Sequence, residues 1–107
     1  MRDPLHLKDI VDSINKIERY TKKLSFEKFS NDDMAIDAVI RNLEIIGEAS
    51  KNLSEEFKEK NSIIPWGSIV GMRNKAIHEY FDLDIEILWK TVKEDIPTLK
   101  KDLEKIL

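Results

Sequence analysis

The sequence predicts an all-α fold: an antiparallel bundle of four to five helices forming a single domain over residues 1–107. Three observations carry that expectation. Apolar residues recur at three- and four-residue spacing through most of the chain, the period of a helix with one buried face. Only 3 Gly and 3 Pro punctuate 107 residues, too few for a chain of hairpins and tight turns. Apolar residues make up 41% of the chain, enough for one packed core, and its length leaves no room for a second.

Asp3-Pro4 opens the first expected helix, Asp as N-cap and Pro at the first helical position, where its missing N–H costs nothing. Leu7, Ile10, Val11, Ile14 and Ile17 then form an apolar face up to about Leu24, backed by Lys8, Asp12, Lys16, Arg19 and Lys23. Ser25 to Ser30 reads as a connector with Phe26 and Phe29 pinned to the core. Asn31, Asp32 and Asp33 are good caps for a second helix from Met34 to about Leu53. Its charges, Asp37, Arg41, Glu44, Glu48 and Lys51, fall in one narrow stripe, and most of the rest is apolar. A helix apolar over most of its circumference is buried on more than one side, as a central helix, at an oligomer interface, or both. The stripe reads either as a set of helical ion pairs such as Asp37–Arg41 or as an acidic wall beside a site. Asn42, inside the apolar arc, calls for a buried hydrogen bond.

Ser54 to Ser62 is polar and reads as a short helix plus a loop; Pro65 starts a third helix that runs to about Glu79. Phe81-Asp82-Leu83-Asp84 breaks it, and Asp82 or Asp84 caps the next, whose apolar face is Ile85, Leu88, Trp89 and Val92. Pro97 kinks or restarts that helix, and Leu99, Leu103, Ile106 and Leu107 complete the final turns.

Charged residues reach 36%, against roughly a quarter in an ordinary domain. With 18 basic and 21 acidic residues the net charge is −3, which excludes a simple polybasic clamp on nucleic acid but leaves room for a small basic site. The absence of Cys removes disulfides, thiolate nucleophiles, Cys-ligated zinc and iron–sulfur clusters. No apolar run approaches the roughly 18 residues of a membrane span, and Arg2, Asp3 and Lys8 interrupt any signal-like segment, so a cytoplasmic protein is expected. His6 has no second His at helical spacing, so it reads as a surface residue; neither a metal site nor a cofactor is expected. Gly47, Gly67 and Gly71 are scattered through helical pattern rather than gathered in a phosphate loop, and Gly67 and Gly71 read as places of close helix approach.

The chemistry then concentrates in Gly71-Met72-Arg73-Asn74-Lys75-Ala76-Ile77-His78-Glu79-Tyr80. At about 100° per residue, the apolar face of Ile69, Val70, Met72, Ala76 and Ile77 is centred on Arg73. A guanidinium there must be paired, exposed at a subunit seam, or kept for a ligand. Asn74 and His78 share one edge of that stripe, and Tyr80 returns to the side of Arg73. Arg is a permanent cation for phosphate, and His is the side chain suited to moving protons near neutrality. Together they can cleave RNA without a metal: the 2′-hydroxyl is activated, the phosphorane charge is held and the leaving oxygen is protonated. The competing reading of the same residues is an Arg paired with the charged stripe of the second helix beside a half-buried His.

Arg73-x4-His78-x-Tyr80, preceded by Ile64-Pro65-Trp66 and Gly71-Met72 and followed by Phe81, resembles the HepT-like branch of the HEPN superfamily. Arg41-Asn42-Leu43-Glu44-Ile45-Ile46-Gly47-Glu48-Ala49 is similar to that family's second helix, and the likeness extends through Trp89 and Asp95-Ile96-Pro97. The resemblance implies a HEPN-like bundle that dimerises to bring two motifs to a shared cleft. It also implies a metal-independent endoribonuclease, the toxin of a type II toxin–antitoxin pair, with Arg73 and His78 catalytic and Asn74 supporting. The partner it implies is a minimal nucleotidyltransferase antitoxin that transfers AMP to the motif tyrosine, here Tyr80, besides the RNA substrate itself. Two rivals stand beside it, besides a plain structural bundle. One is a non-catalytic nucleotide- or partner-binding subunit of a nucleotidyltransferase complex, which the net charge of −3 favours. The other is a subunit that presents substrate to that partner.

Overall fold

The structure, a computed structural model, describes residues 2–76 and 83–107. Among them are eight α-helical segments, one π-helical turn and no β-strand. The first helix, α1, spans Asp3–Thr21, followed by a single turn, α2, at Phe26–Ser30. The central helix α3 spans Asp33–Lys51 and the short α4 Glu55–Lys60. The expected third helix is two pieces, α5 at Trp66–Val70 and α6 at Met72–Ala76, and the last stretch is α7 at Ile85–Lys90, a π-helical turn at Thr91–Asp95 and α8 at Ile96–Ile106.

Capping chemistry sets most of the starts. Ser25, Asp32, Ser54 and Asp84 each accept a hydrogen bond from the backbone N–H three residues on, at 3.0–3.1 Å. Asp3 is the exception to the expected pattern. Arg2 holds the cap position, and the buried Asp3 carboxylate instead accepts from the backbone N–H and hydroxyl of Ser54, at 2.8 and 2.7 Å. One residue thereby ties the start of α1 to the start of α4. The Ser54 hydroxyl and amide hold Asp3 below the ordinary carboxylate value of 3.8. A depressed folded-state pKa contributes stability that is complete above the unfolded value and is lost as pH falls through the folded one. The stability gap between the parent and Asp3→Asn is therefore expected to be widest near neutrality and to shrink below about pH 4; urea midpoints across that range measure it.

The core is one ring of packed helices. α1 lies against α3, α3 against α5 and α6, α6 against α7, and the π-turn and α8 return to α1. Ile10, Ile14 and Ile17 of α1, Val39, Leu43 and Ile46 of α3, and Leu88, Ile96 and Leu103 are essentially without solvent contact. With α1, α2, α5 and α6 around it, α3 is the central helix that its apolar circumference demanded, though Met34 at its start is exposed. Asn42 is buried there and donates to the Ala38 carbonyl at 2.8 Å, while its side-chain oxygen has no partner among the described residues. Phe29 is buried against Trp89, ring centroids 4.9 Å apart, whereas Phe26 is partly exposed at the edge of the same cluster.

Pro97 restarts the helix, standing in the first turn of α8 after a π-helical turn. Proline lacks an N–H, and its ring crowds the carbonyl four residues earlier. Lys93 therefore sits in a π-helical turn, whose wider hydrogen-bond register accommodates the ring directly ahead of α8. No helix of the described residues is long and apolar enough to cross a membrane.

Candidate active site

Arg73 and Asn74 open the short helix α6, and what places them is the contact between α5 and α3. Gly47 lies in α3 where the backbone of Val70 crosses it; a Cβ on Gly47 would sit 3.1 Å from the Val70 carbonyl oxygen. The close approach thus belongs to Gly47. A Cβ on Gly67 would meet open space, and one on Gly71 only carbonyls of its own helix at ordinary contact distance, so neither serves the approach expected of it. Gly71 instead divides the expected single helix into α5 and α6. Glycine is the residue that least favours continuing a helix, apart from proline.

That break corrects the position of Arg73. A uniform helix through Ile69 and Met72 centres Arg73 on the apolar face, but the helix is interrupted at Gly71. Ile69 and Met72 are buried, whereas the Arg73 side chain retains 34% of its exposure at the rim. Its Nε donates to Glu44 Oε1 of α3 at 2.8 Å, and Nη1 donates to the Asn74 side-chain oxygen at 3.3 Å. Of the five N–H donors on a guanidinium, three, including both on Nη2, have no protein acceptor among the described residues. The charged stripe of α3 therefore serves as a wall beside Arg73 through Glu44; no ion pair joins Asp37 to Arg41 among the described residues.

Arg73 and Asn74 face an open concavity of about 440 Å³ whose far wall is Glu44, Gly47, Glu48 and Lys51 of α3. Two carboxylates against two cations leave it electrically balanced, so a phosphate would be held by directed N–H groups rather than by a broad positive field. His78 and Tyr80, the other members of the expected site, lie outside the described residues. Among the described residues no cluster of three or more His, Asp or Glu side chains is spaced for a metal ion. His6 is half-buried close to Asp3, away from this concavity.

Sequence reasoning named Arg73, Asn74 and the stripe but did not single out Glu44 as the partner, nor Gly47 as the contact that aims α6. The available signal was Gly47 itself, an isolated glycine within an otherwise strong helix.

The comparisons bear on the chain as a whole. The family model described as Ribonuclease HepT-like matches residues 10–106. A "Probable ribonuclease HepT" of Thermococcus cleftensis is 52% identical over 101 residues, covering 94% of this chain and 92% of that protein. A "Putative RNase" of Methanocaldococcus jannaschii is 48% identical over 98 residues, 92% of this chain and 90% of its own. Another of that description, from Caldanaerobacter subterraneus subsp. tengcongensis, is 52% identical over 91 residues, 85% and 80% of the two chains. No solved structure matches. A helical bundle that aims an arginine from a short broken helix across a central one, matched over nearly its full length, belongs to the HepT-like ribonuclease family.

Proposed function

We propose that this protein is a metal-independent endoribonuclease, the toxin of a type II toxin–antitoxin pair, with Arg73 and His78 as its catalytic residues. The observation that carries the reading is the Arg73 guanidinium, pinned by Glu44 at 2.8 Å with its outer N–H groups turned toward an open concavity, in a chain of this family. In the proposed reaction His78 takes the proton of a 2′-hydroxyl, and the 2′-oxygen attacks the adjacent phosphorus. Arg73 holds the charge on the phosphorane oxygens while the P–O5′ bond breaks, and the proton that His78 took up passes to the departing O5′, leaving a 2′,3′-cyclic phosphate and a 5′-hydroxyl. Asn74 supports Arg73 by accepting from Nη1.

The protein works as a homodimer whose two motifs share a cleft, a two-fold arrangement that places one arginine and one histidine from each copy around the same strand. A minimal nucleotidyltransferase antitoxin neutralises it in the cytoplasm by adding AMP to Tyr80; the added phosphate would occupy the anion position beside Arg73 and block RNA. The test is cleavage of single-stranded RNA with excess chelator present, parent against His78→Ala. Equal rates would reject the mechanism and favour a binding subunit. Intact mass after co-expression with the nucleotidyltransferase, against Tyr80→Phe, reads the modification as added AMP units. A clean monomer at micromolar concentration by light scattering would sink the shared cleft.

Glu44 supplies a sharper expectation. It orients Arg73, yet its charge also repels the phosphate that Arg73 is to hold. Glu44→Ala is therefore expected to lower kcat about tenfold, through a misplaced guanidinium, without raising KM. Glu44→Gln, which can still accept from Nε, should retain most of the activity. Steady-state kinetics on a fluorogenic RNA separates the two.

A further inference from the structure

A second concavity, of about 550 Å³, runs along the seam where α1 meets the π-turn and α8, a different seam from the α3–α6 edge that carries Arg73. Arg19, Lys22, Lys93 and Lys100 line it, against the single carboxylate of Glu18, which Lys100 already engages at 2.7 Å. In a chain of net charge −3, that balance is unusual. The Arg73 concavity is balanced, the one between α5–α6 and α8 carries Asp95 and Asp102, and the one under the start of α3 carries Glu27, Asp32 and Asp33 against Lys28.

Two of the four cations also lie over aromatic rings. The Arg19 guanidinium is 5.3 Å from the centroid of the partly exposed Tyr20 ring, and Lys93 Nζ is 4.5 Å from that of the half-buried Trp89. Four cations against one carboxylate along a single groove suit the backbone of a nucleic acid, whose successive phosphates follow such a positive track.

We propose that the α1–α8 seam is a docking groove for the backbone of single-stranded RNA, separate from the cutting site. The identity of the polyanion rests on the ribonuclease reading. The groove lets a net-acidic protein hold a strand it could not retain through Arg73 alone, and a strand engaging both positions must cross a molecule whose two shorter dimensions are 30 and 20 Å. Substrates of a few nucleotides would reach only one.

The experiment is binding of a labelled 2′-O-methyl RNA oligonucleotide, which has no free 2′-hydroxyl to attack, by the parent and by Lys22→Gln/Lys93→Gln. Both lysines are exposed and make no ion pair among the described residues. Affinity is expected to fall about tenfold, and the salt dependence to flatten by about 1.4 in log–log slope, roughly 0.7 for each lost phosphate contact on a single strand. Cleavage of a dinucleotide should be unchanged while KM for long RNA rises. Unchanged RNA affinity in the variant overturns the proposal and leaves the groove to an acidic protein partner; a parent that binds no RNA at low salt overturns it as well. A parent that fails to cleave RNA, yet binds it through these lysines, rejects the ribonuclease reading and sustains the groove.

Discussion

Arg73→Ala is expected to leave a folded protein whose rate of RNA cleavage has dropped by about 10²–10³-fold, the usual consequence of deleting one directed donor to a developing negative charge. The two halves of that expectation have separate causes. The Arg73–Glu44 pair retains 34% and 47% of its side-chain exposure. An ion pair this accessible contributes about 0–1 kcal/mol, so the melting temperature should barely move. The chemistry, by contrast, depends on a fork of parallel N–H groups aimed at phosphate oxygens. Arg73→Lys should therefore recover little, because an ammonium cannot donate to Glu44 and span two phosphate oxygens in one plane. Single-turnover cleavage with circular dichroism on the same samples measures both. Full activity in Arg73→Ala would remove this residue from the reacting phosphate.

The second large effect is expected at Gly47, where a stability change and an activity change arise from one contact. Gly47→Ala sets two terms against each other. Alanine gains about 1 kcal/mol of helix propensity, and its Cβ meets the Val70 carbonyl oxygen at 3.1 Å, a contact that backbone must yield by a few tenths of an ångström to relieve. Those terms nearly cancel. Gly47→Val adds two methyl groups against the same rigid carbonyl, and overpacking should win by about 3 kcal/mol. Because α5 leads directly into α6, the displacement that relieves the clash also carries Arg73 away from Glu44. Loss of cleavage in the surviving folded fraction is thus expected alongside the lowered urea midpoint. A Gly47→Val variant as stable and active as the parent would mean that α3 and α5 do not meet at this point.

Helix positions and types were legible in the chain because their causes are local. The apolar spacing of α1, the Asp32 cap of α3, the Ser54 cap of α4 and the Asp84 cap of α7 all act within a turn or two. The family likeness was legible too, carried by the stretches around Arg73 and Asn42, and the family match over residues 10–106 agrees with it. Where local reasoning failed, a competing local preference was underweighted or a distant group intervened. Gly71 ended a helix that periodicity carried onward. Pro97 restarted the helix as expected, but through a π-turn that periodicity does not foretell. Asp3 left the cap position unfilled because Ser54 offered it two donors.

Periodicity, caps and composition therefore sufficed for an all-α chain with a central apolar helix and an Arg-centred motif. They could not say which carboxylate meets Arg73, which glycine permits the crossing of α3 and α5, or that four cations from the end of α1, the π-turn and α8 line one groove. Those pairings join groups 29 residues apart for Arg73 and Glu44, 51 for Asp3 and Ser54, and 82 for Lys100 and Glu18. A helix's own sequence decides which of its faces is buried. The rotation and crossing of the packed helices decide which charged edge meets which, and that is a property of the whole core.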